Sequence, residues 1–138
     1  MNADNACPCG SGKAYAACCG PYLDGGQRPV TAEALMRSRY SGYVLARKDY
    51  LLRTWHASTR PGTLDLDDSS IVNWLGLKIV RTEAGGPADA RGVVEFVARY
   101  KVGGKAHRLH EISRFVRESG QWFYLDGTPD ATDKPGRK

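Results

Sequence analysis

Residues 91–117 read RGVVEFVARYKVGGKAHRLHEISRFVR, and this stretch decides the fold. From 91 to 102 the apolar residues recur at every second position. Val94, Phe96, Ala98, Tyr100 and Val102 share one face, while Glu95, Arg99 and Lys101 share the other. A period of two marks a strand with one face on a core. Gly103-Gly104 supplies two residues able to adopt positive φ, as a tight hairpin turn requires. Residues 105–117 form the return strand, and Ser119-Gly120 turns the chain into a last strand over 121–125. Residues 76–84 read as a further strand before the hairpin. The second half of the chain therefore predicts three or four antiparallel strands.

Toward the N-terminus the period changes. Thr31 is an N-cap residue with Glu33 close behind. Met36, Tyr40, Tyr43 and Val44 then fall on one helical face, predicting a helix to residue 47. Asp49 is placed to cap a second helix through residue 56, with Leu51, Leu52 and Trp55 facing inward. A loop over 60–68 and a short helix over 69–75 complete the first half. Helices first and strands afterwards argue for an α+β fold, with helices packed on one face of a curved antiparallel sheet. Such a fold leaves room for a cavity between helix and sheet.

The chain has 138 residues, enough for one domain with a buried core and a small appendage. Its 41% hydrophobic and 25% charged residues are those of a soluble globular protein. No apolar run is long enough to span a membrane, and the polar start, Met1 to Ala6, lacks the apolar stretch of a signal peptide. These features predict a cytoplasmic protein. The net charge of +5 is spread along the chain and reads as solvated surface, with weak attraction to RNA or the ribosome as the alternative.

All four cysteines lie in residues 7–20, CPCGSGKAYAACCG. In a reducing compartment, cysteines this clustered favour metal over disulfides. Cys7-Pro8-Cys9 offers two thiolates from a stiff turn, the Gly10-Ser11-Gly12 segment lets the backbone reverse, and a helical turn presents Cys18 and Cys19. Four cysteines fill a tetrahedral site and leave no open position, so the expected ion is a structural Zn²⁺. Lys13 is the cation expected to offset the charge of the thiolates. The resulting division is a zinc knuckle over 1–20, a linker over 21–30, an α+β domain over 31–127 and a flexible tail over 128–138. Residues 1–6 read as disordered.

Several polar residues fall on faces assigned to the core. Arg39 lies on the apolar stripe of the first helix, and His56 follows Leu52 by one helical turn. Glu111 shares a strand face with Leu109, Ser113 and Phe115. A buried carboxylate is costly unless paired, and an Arg39–Glu111 or His56–Glu111 contact would relieve the cost. One reading is a pocket formed by Arg39, Trp55, His56, Arg60 and Glu111. The other is an internal salt bridge tying helix to sheet, and a register shift of one residue would turn Glu111 outward. A metal site of His107, His110 and Glu111 is a weaker alternative. Trp55, Trp74, Trp122, Tyr124 and Phe96 are expected in the core. No nucleophile–histidine–acid spacing and no phosphate loop occur, so no catalytic residue is assigned.

CPCGSGKAYAACCG resembles the SEC-C motif, the zinc-binding segment at the C-terminus of the SecA translocase ATPase. Cys7, Cys9, Gly10, Ser11, Gly12, Lys13, Tyr15, Cys18 and Cys19 carry the match. The resemblance implies zinc and docking to a protein partner, as SecA docks the SecB chaperone. MRSRYSGYV (36–44), YLLRTWHASTRP (50–61) and HEISRFVRESGQWFYLDG (110–127) are similar to the bacterial YchJ family. That family's main domain implies the nuclear-transport-factor-2-like fold, a cone of helices against a bent sheet, and implies no biochemical activity. Together these readings predict a zinc-binding accessory protein whose knuckle docks a protein or ribosomal partner in export or translation. Its cone would bind a second ligand or another copy of the chain. The rival is a small-molecule-binding protein or enzyme that uses an open polar cavity around Glu111.

Overall fold

The computed structural model describes residues 6–62 and 72–129. A 3-10 turn at Tyr15–Ala17 leads into α1 (Gly20–Leu23), α2 (Ala32–Val44) and α3 (Lys48–Arg53). The strands are β1 (Val72–Ala84), β2 (Arg91–Val102), β3 (Lys105–Glu118) and β4 (Gln121–Pro129). They form one antiparallel sheet in the order β1-β2-β3-β4.

The hairpin opens as its sequence demands. Gly103 and Gly104 have φ of 59° and 83°, and Ser119 and Gly120 have φ of 53° and 76°. Both turns thus have two successive left-handed residues, which matches the twist of the flanking strands. Opposite residues on β2 and β3 include Val94 with Ser113, Phe96 with Glu111 and Ala98 with Leu109. That register places Glu111 on the concave face with Phe96, which excludes the outward alternative. Two register shifts in β1, after Trp74 and after Ile79, accompany the curvature of the sheet over the helices.

α2 begins as expected: Thr31 Oγ1 accepts a hydrogen bond from the Ala34 amide at 3.0 Å. It is buried well beyond its one apolar stripe. Leu35, Ser38 and Ser41 are fully enclosed, and Arg39 and Gly42 are buried as well. The reason is that α2 packs on the sheet, on α3 and on the cysteine segment at once. Small residues make the extra contacts close. A Cβ at Gly42 would stand 3.1 Å from Leu51 Cδ2, and Ser38 Oγ lies 2.6 Å from Tyr50 Oη.

Four expectations need correction. Asp49 does not cap α3; Arg47 stands at the N-cap and Asp49 lies in the first turn, where its charge favours the helix N-terminus. The expected helix over 69–75 is strand from Val72 onward, and its first residues lie outside the described ones. The expected tail begins two residues too early, because Thr128 and Pro129 belong to β4; the rest of it, and residues 1–5, also lie outside the described ones. Residues 21–30 are not a free arm. Gly20–Leu23 is helical, Leu23 and Pro29 are buried, and Trp122 Nε1 donates to the Val30 carbonyl at 3.2 Å. A knuckle this small cannot bury its own apolar surface, so it shares the core of the larger domain. Cys7, Cys9 and Cys19 belong to the same buried cluster as Leu35, Phe115 and Trp122.

Candidate functional site

The cysteine segment folds around its own sulfurs. The Cys7 amide donates to the Lys13 carbonyl at 2.9 Å, closing the loop that Gly10 and Gly12 turn with φ of 79° and 87°. The 3-10 turn at Tyr15–Ala17 then delivers Cys18 and Cys19. All four Sγ atoms lie within 4.8 Å of one another, and Cys9 Sγ is 3.7 Å from Cys18 Sγ. A tetrahedral ion with ~2.3 Å bonds to sulfur sets its ligands about 3.8 Å apart. A disulfide would need the sulfurs at ~2.05 Å, and all four thiols are free. The donors and their spacing therefore fit a metal ion.

Hydrogen bonds from Cys19 and then Cys9 hold the Cys7 thiol far below its usual range, and the Cys7 partnership pushes Cys19 far above it. Sulfurs this close share protons unless a cation neutralises them. The surroundings supply further donors. Ser11 Oγ is 3.1 Å from Cys18 Sγ, and Ser41 Oγ on α2 is 3.6 Å from Cys7 Sγ. Arg37, also on α2, donates to the Cys9 carbonyl at 3.0 Å and reaches Cys9 Sγ at 3.8 Å. Arg37, rather than the exposed Lys13, brings a cation to the sulfurs. Its role was not legible locally, because it lies 28 residues from Cys9 in the chain.

The second feature is a cavity of about 290 Å³ between α2 and the concave sheet face. Met36, Phe96, Ala98 and Ser113 are its buried walls. Tyr43, Trp74, Leu109 and Tyr124, half buried, complete it and connect it to solvent. The rings pack against each other: Trp74 meets Tyr40 edge-on at 5.5 Å and Tyr100 at 5.3 Å. The cavity is therefore aromatic and apolar, not the polar space expected, with Arg39 and Glu111 as its charged residues.

Arg39 and Glu111 do not form the expected ion pair. The Arg39 guanidinium lies over the rings of Trp55 and Tyr124, at 5.1 and 4.6 Å from their centroids. It also donates to the Leu51 carbonyl and to Thr54 Oγ1, both at 2.8 Å. Burial works against its charge, which the ring faces and these acceptors offset. Glu111 has no hydrogen bond or ion pair among the described residues, and burial raises its pKa above the usual carboxylate range. Its carboxylate occupies the space over Gly127, where a Cβ would collide with it. Tyr124 feels both charges. Its hydroxyl is pushed up to about 12, first by burial and then by the Glu111 charge, with Arg39 opposing.

The other residues expected in the pocket lie elsewhere. Trp55 packs on Tyr124 from the far side, behind Arg39. His56 Nε2 bonds Glu118 Oε2 at 2.9 Å on the exterior. Arg60 is exposed and donates to the Trp55 carbonyl at 3.0 Å. The helix ends at Arg53, so the inward helical phase expected for Trp55 and His56 does not exist. The His107–His110–Glu111 alternative also fails to assemble. His107 and Glu111 face the concave side, whereas His110 points the other way and meets Glu95 at 2.7 Å. Among the described residues, only the four cysteines form a metal-competent group.

Comparison with known proteins gives the family. The model described as "YchJ, middle NTF2-like domain" matches residues 31–127, and the SEC-C motif matches residues 5–21. A UPF0225 protein of Chromobacterium violaceum is 62% identical over 124 residues, covering 88% of this chain and 91% of that protein. A UPF0225 protein of Ralstonia nicotianae is 54% identical over 132 residues, covering 88% and 90%. The solution structure of a SEC-C motif containing protein from Rhodopseudomonas palustris superposes with a TM-score of 0.79 at 36% identity, covering 94% of this chain and 99% of that one. A crystal structure of a SEC-C motif containing protein from Psychrobacter arcticus gives 0.73 at 30% identity, covering 90% and 82%. The α+β architecture is the nuclear-transport-factor-2-like fold, and the chain belongs to the YchJ, or UPF0225, family, with a SEC-C motif packed on that domain.

Proposed function

We propose that this chain is a small-molecule-binding protein whose cone is fastened by a structural zinc ion. The observation that carries the reading is the aromatic cavity with the unpaired Glu111 carboxylate in its wall. A folded protein gains nothing in stability from a desolvated, unpaired carboxylate, whereas a bound ligand gives it a partner. Zinc is favoured by four sulfur donors within 4.8 Å of one another, one pair of which, Cys9 and Cys18, stands at the edge length of a zinc tetrahedron. It acts as a fastener because its ligands lie in the common core and leave no position for substrate. Four unoxidised thiols suit the reducing cytoplasm. The test is a fragment screen on the full-length, zinc-loaded protein, read by NMR. Binding at the cavity shifts the Trp74 indole and the Ala98 methyl and leaves the outward-facing Lys78 unmoved. A screen in which neither neutral nor charged fragments shift those signals overturns the reading.

A second reading, the docking of a protein partner, has one feature in its favour. A cleft of about 370 Å³ separates the knuckle from α2, with Lys13 and Glu33 among its walls. Gly12, Lys13 and Ala14 are exposed beside it. A Lys13→Glu variant keeps all four metal ligands. Loss of a captured partner in that variant, with zinc retained, supports docking; identical capture by both proteins removes it.

A further inference from the structure

We infer that the ligand of the α2–sheet cavity is a small organic cation, an amine on an aromatic or aliphatic body, whose ammonium pairs with Glu111. The inference rests on the cavity being a ligand site and adds the ligand's charge and the residue that reads it.

The cavity offers a cation two things and an anion little. One is a carboxylate with no donor among the described residues. An ionised carboxylate accepts hydrogen bonds only, so its complement is a donor, and a charged donor also cancels the cost of burial. The other is the ring set of Tyr40, Tyr43, Trp74 and Tyr124. Aromatic faces attract cations through their quadrupole, most strongly where water is excluded.

Arg39 is the obvious objection, since a buried guanidinium would call for an anion. Its position answers this. It lines the cavity, but its charge rests on the Trp55 and Tyr124 rings and its hydrogen bonds run to the Leu51 carbonyl and Thr54. Both charges act on Tyr124, but the two make no ion pair with each other. An incoming ammonium finds in Glu111 a carboxylate without a partner, whereas Arg39 is already engaged by two rings and two acceptors. Gly127 completes the arrangement, because only a residue without Cβ leaves the carboxylate its place above β4.

Size limits the ligand. At about 30 Å³ per water, 290 Å³ holds roughly ten waters, enough for one ring and a short chain.

The test compares three probes of one shape: 2-phenylethylamine, 2-phenylethanol and phenylacetate. Each is titrated into zinc-loaded, full-length protein and followed by NMR and calorimetry. The amine is expected to bind at least tenfold tighter than the alcohol and to shift Trp74 and Ala98. Glu111→Gln is expected to abolish that preference, bringing the amine's affinity to within about twofold of the alcohol's on the same variant. Equal affinity of amine and alcohol for the wild type overturns the cation inference and leaves the cavity reading standing. Preference for phenylacetate does the same and makes Arg39 the reader of charge. Absence of binding by all three at millimolar concentration overturns the inference as well; the cavity reading is then judged by the wider fragment screen. The comparison of probes on the wild type needs no variant, so a Glu111→Gln protein that failed to fold would not protect the inference.

Discussion

The knuckle and the cavity occupy two faces of α2, and they are built by opposite means. The knuckle draws its four sulfurs from thirteen consecutive positions, Cys7 to Cys19, and closes on itself through local turns. The cavity draws its walls from Met36 to Tyr124, and none of its residues means anything without the others. The knuckle has donors in excess and needs a cation. The cavity has one carboxylate in excess, Glu111, with its cation Arg39 diverted onto aromatic rings. The contrast separates two kinds of polar burial. On the proposed reading, one fastens the fold by taking up an ion once, and the other keeps an unmet charge where a ligand can reach it.

The comparison breaks most visibly at the metal. Chelation, or Cys18→Ser, should release the ion and loosen α2 as well as the knuckle, since Cys7, Cys9 and Cys19 sit in the shared core. A fall in thermal midpoint of about 10 °C or more is expected, read by circular dichroism. A cone that melts unchanged would make the knuckle a separate appendage. Next in size is Arg39→Ala, which removes two hydrogen bonds and two ring contacts from the core and leaves the Leu51 carbonyl without that donor. Urea unfolding should show a loss of about 3–5 kcal/mol. Gly127→Ala pushes the Glu111 carboxylate aside. It should cost about 1–3 kcal/mol in the same assay and weaken binding in the cavity.

Glu111→Gln should act in the other direction. The unfolded carboxyl ionises at its ordinary value of 4.5, and burial holds the folded one higher. Between those values the native state keeps a proton that the unfolded chain has released, so rising pH removes stability across that window. Above the window the penalty is complete. The Gln variant escapes it, so it should be more stable than wild type at neutral pH and lose that advantage below pH 4.5. Unfolding measured at both pH values checks the sign. The smallest effect belongs to His107→Ala. His107 is exposed and stacks on Tyr100 at the sheet edge, so its loss should stay within ~0.5 kcal/mol.

What could be read from sequence follows the same division. The period of two in 91–102 marked a strand and put Phe96 and Ala98 on one face, as the alternation in 105–117 put Leu109 and Glu111 on one face, because side-chain alternation is a local property; only the strand register joins the two sets. The cysteine cluster was legible for the same reason. α2 was only half legible. Its apolar stripe was visible, but Ser38, Ser41 and Gly42 are buried because three neighbours converge there, and small polar residues carry no signal of that. The linker expected over 21–30 was misread through its Gly and Pro content, because its docking depends on Trp122, far away in the chain. Arg39 stands out in the sequence as a cation on an apolar stripe, but its partners are rings, a carbonyl and a hydroxyl rather than Glu111, a choice made by geometry alone. Gly127 showed nothing in sequence, since its importance is the absence of a side chain under a carboxylate sixteen residues earlier.

The division of labour between the two faces of α2 can be tested in one measurement, native mass spectrometry of freshly purified wild type, Cys18→Ser and Leu109→Trp. Leu109 lines the cavity and is half buried, so the larger ring narrows the space without entering the core. The account predicts one zinc per chain in wild type and in Leu109→Trp. It also predicts a retained small-molecule mass in wild type that Leu109→Trp lacks. The same small-molecule adduct, or none, on both of those proteins, or a wild-type chain without zinc, would contradict it.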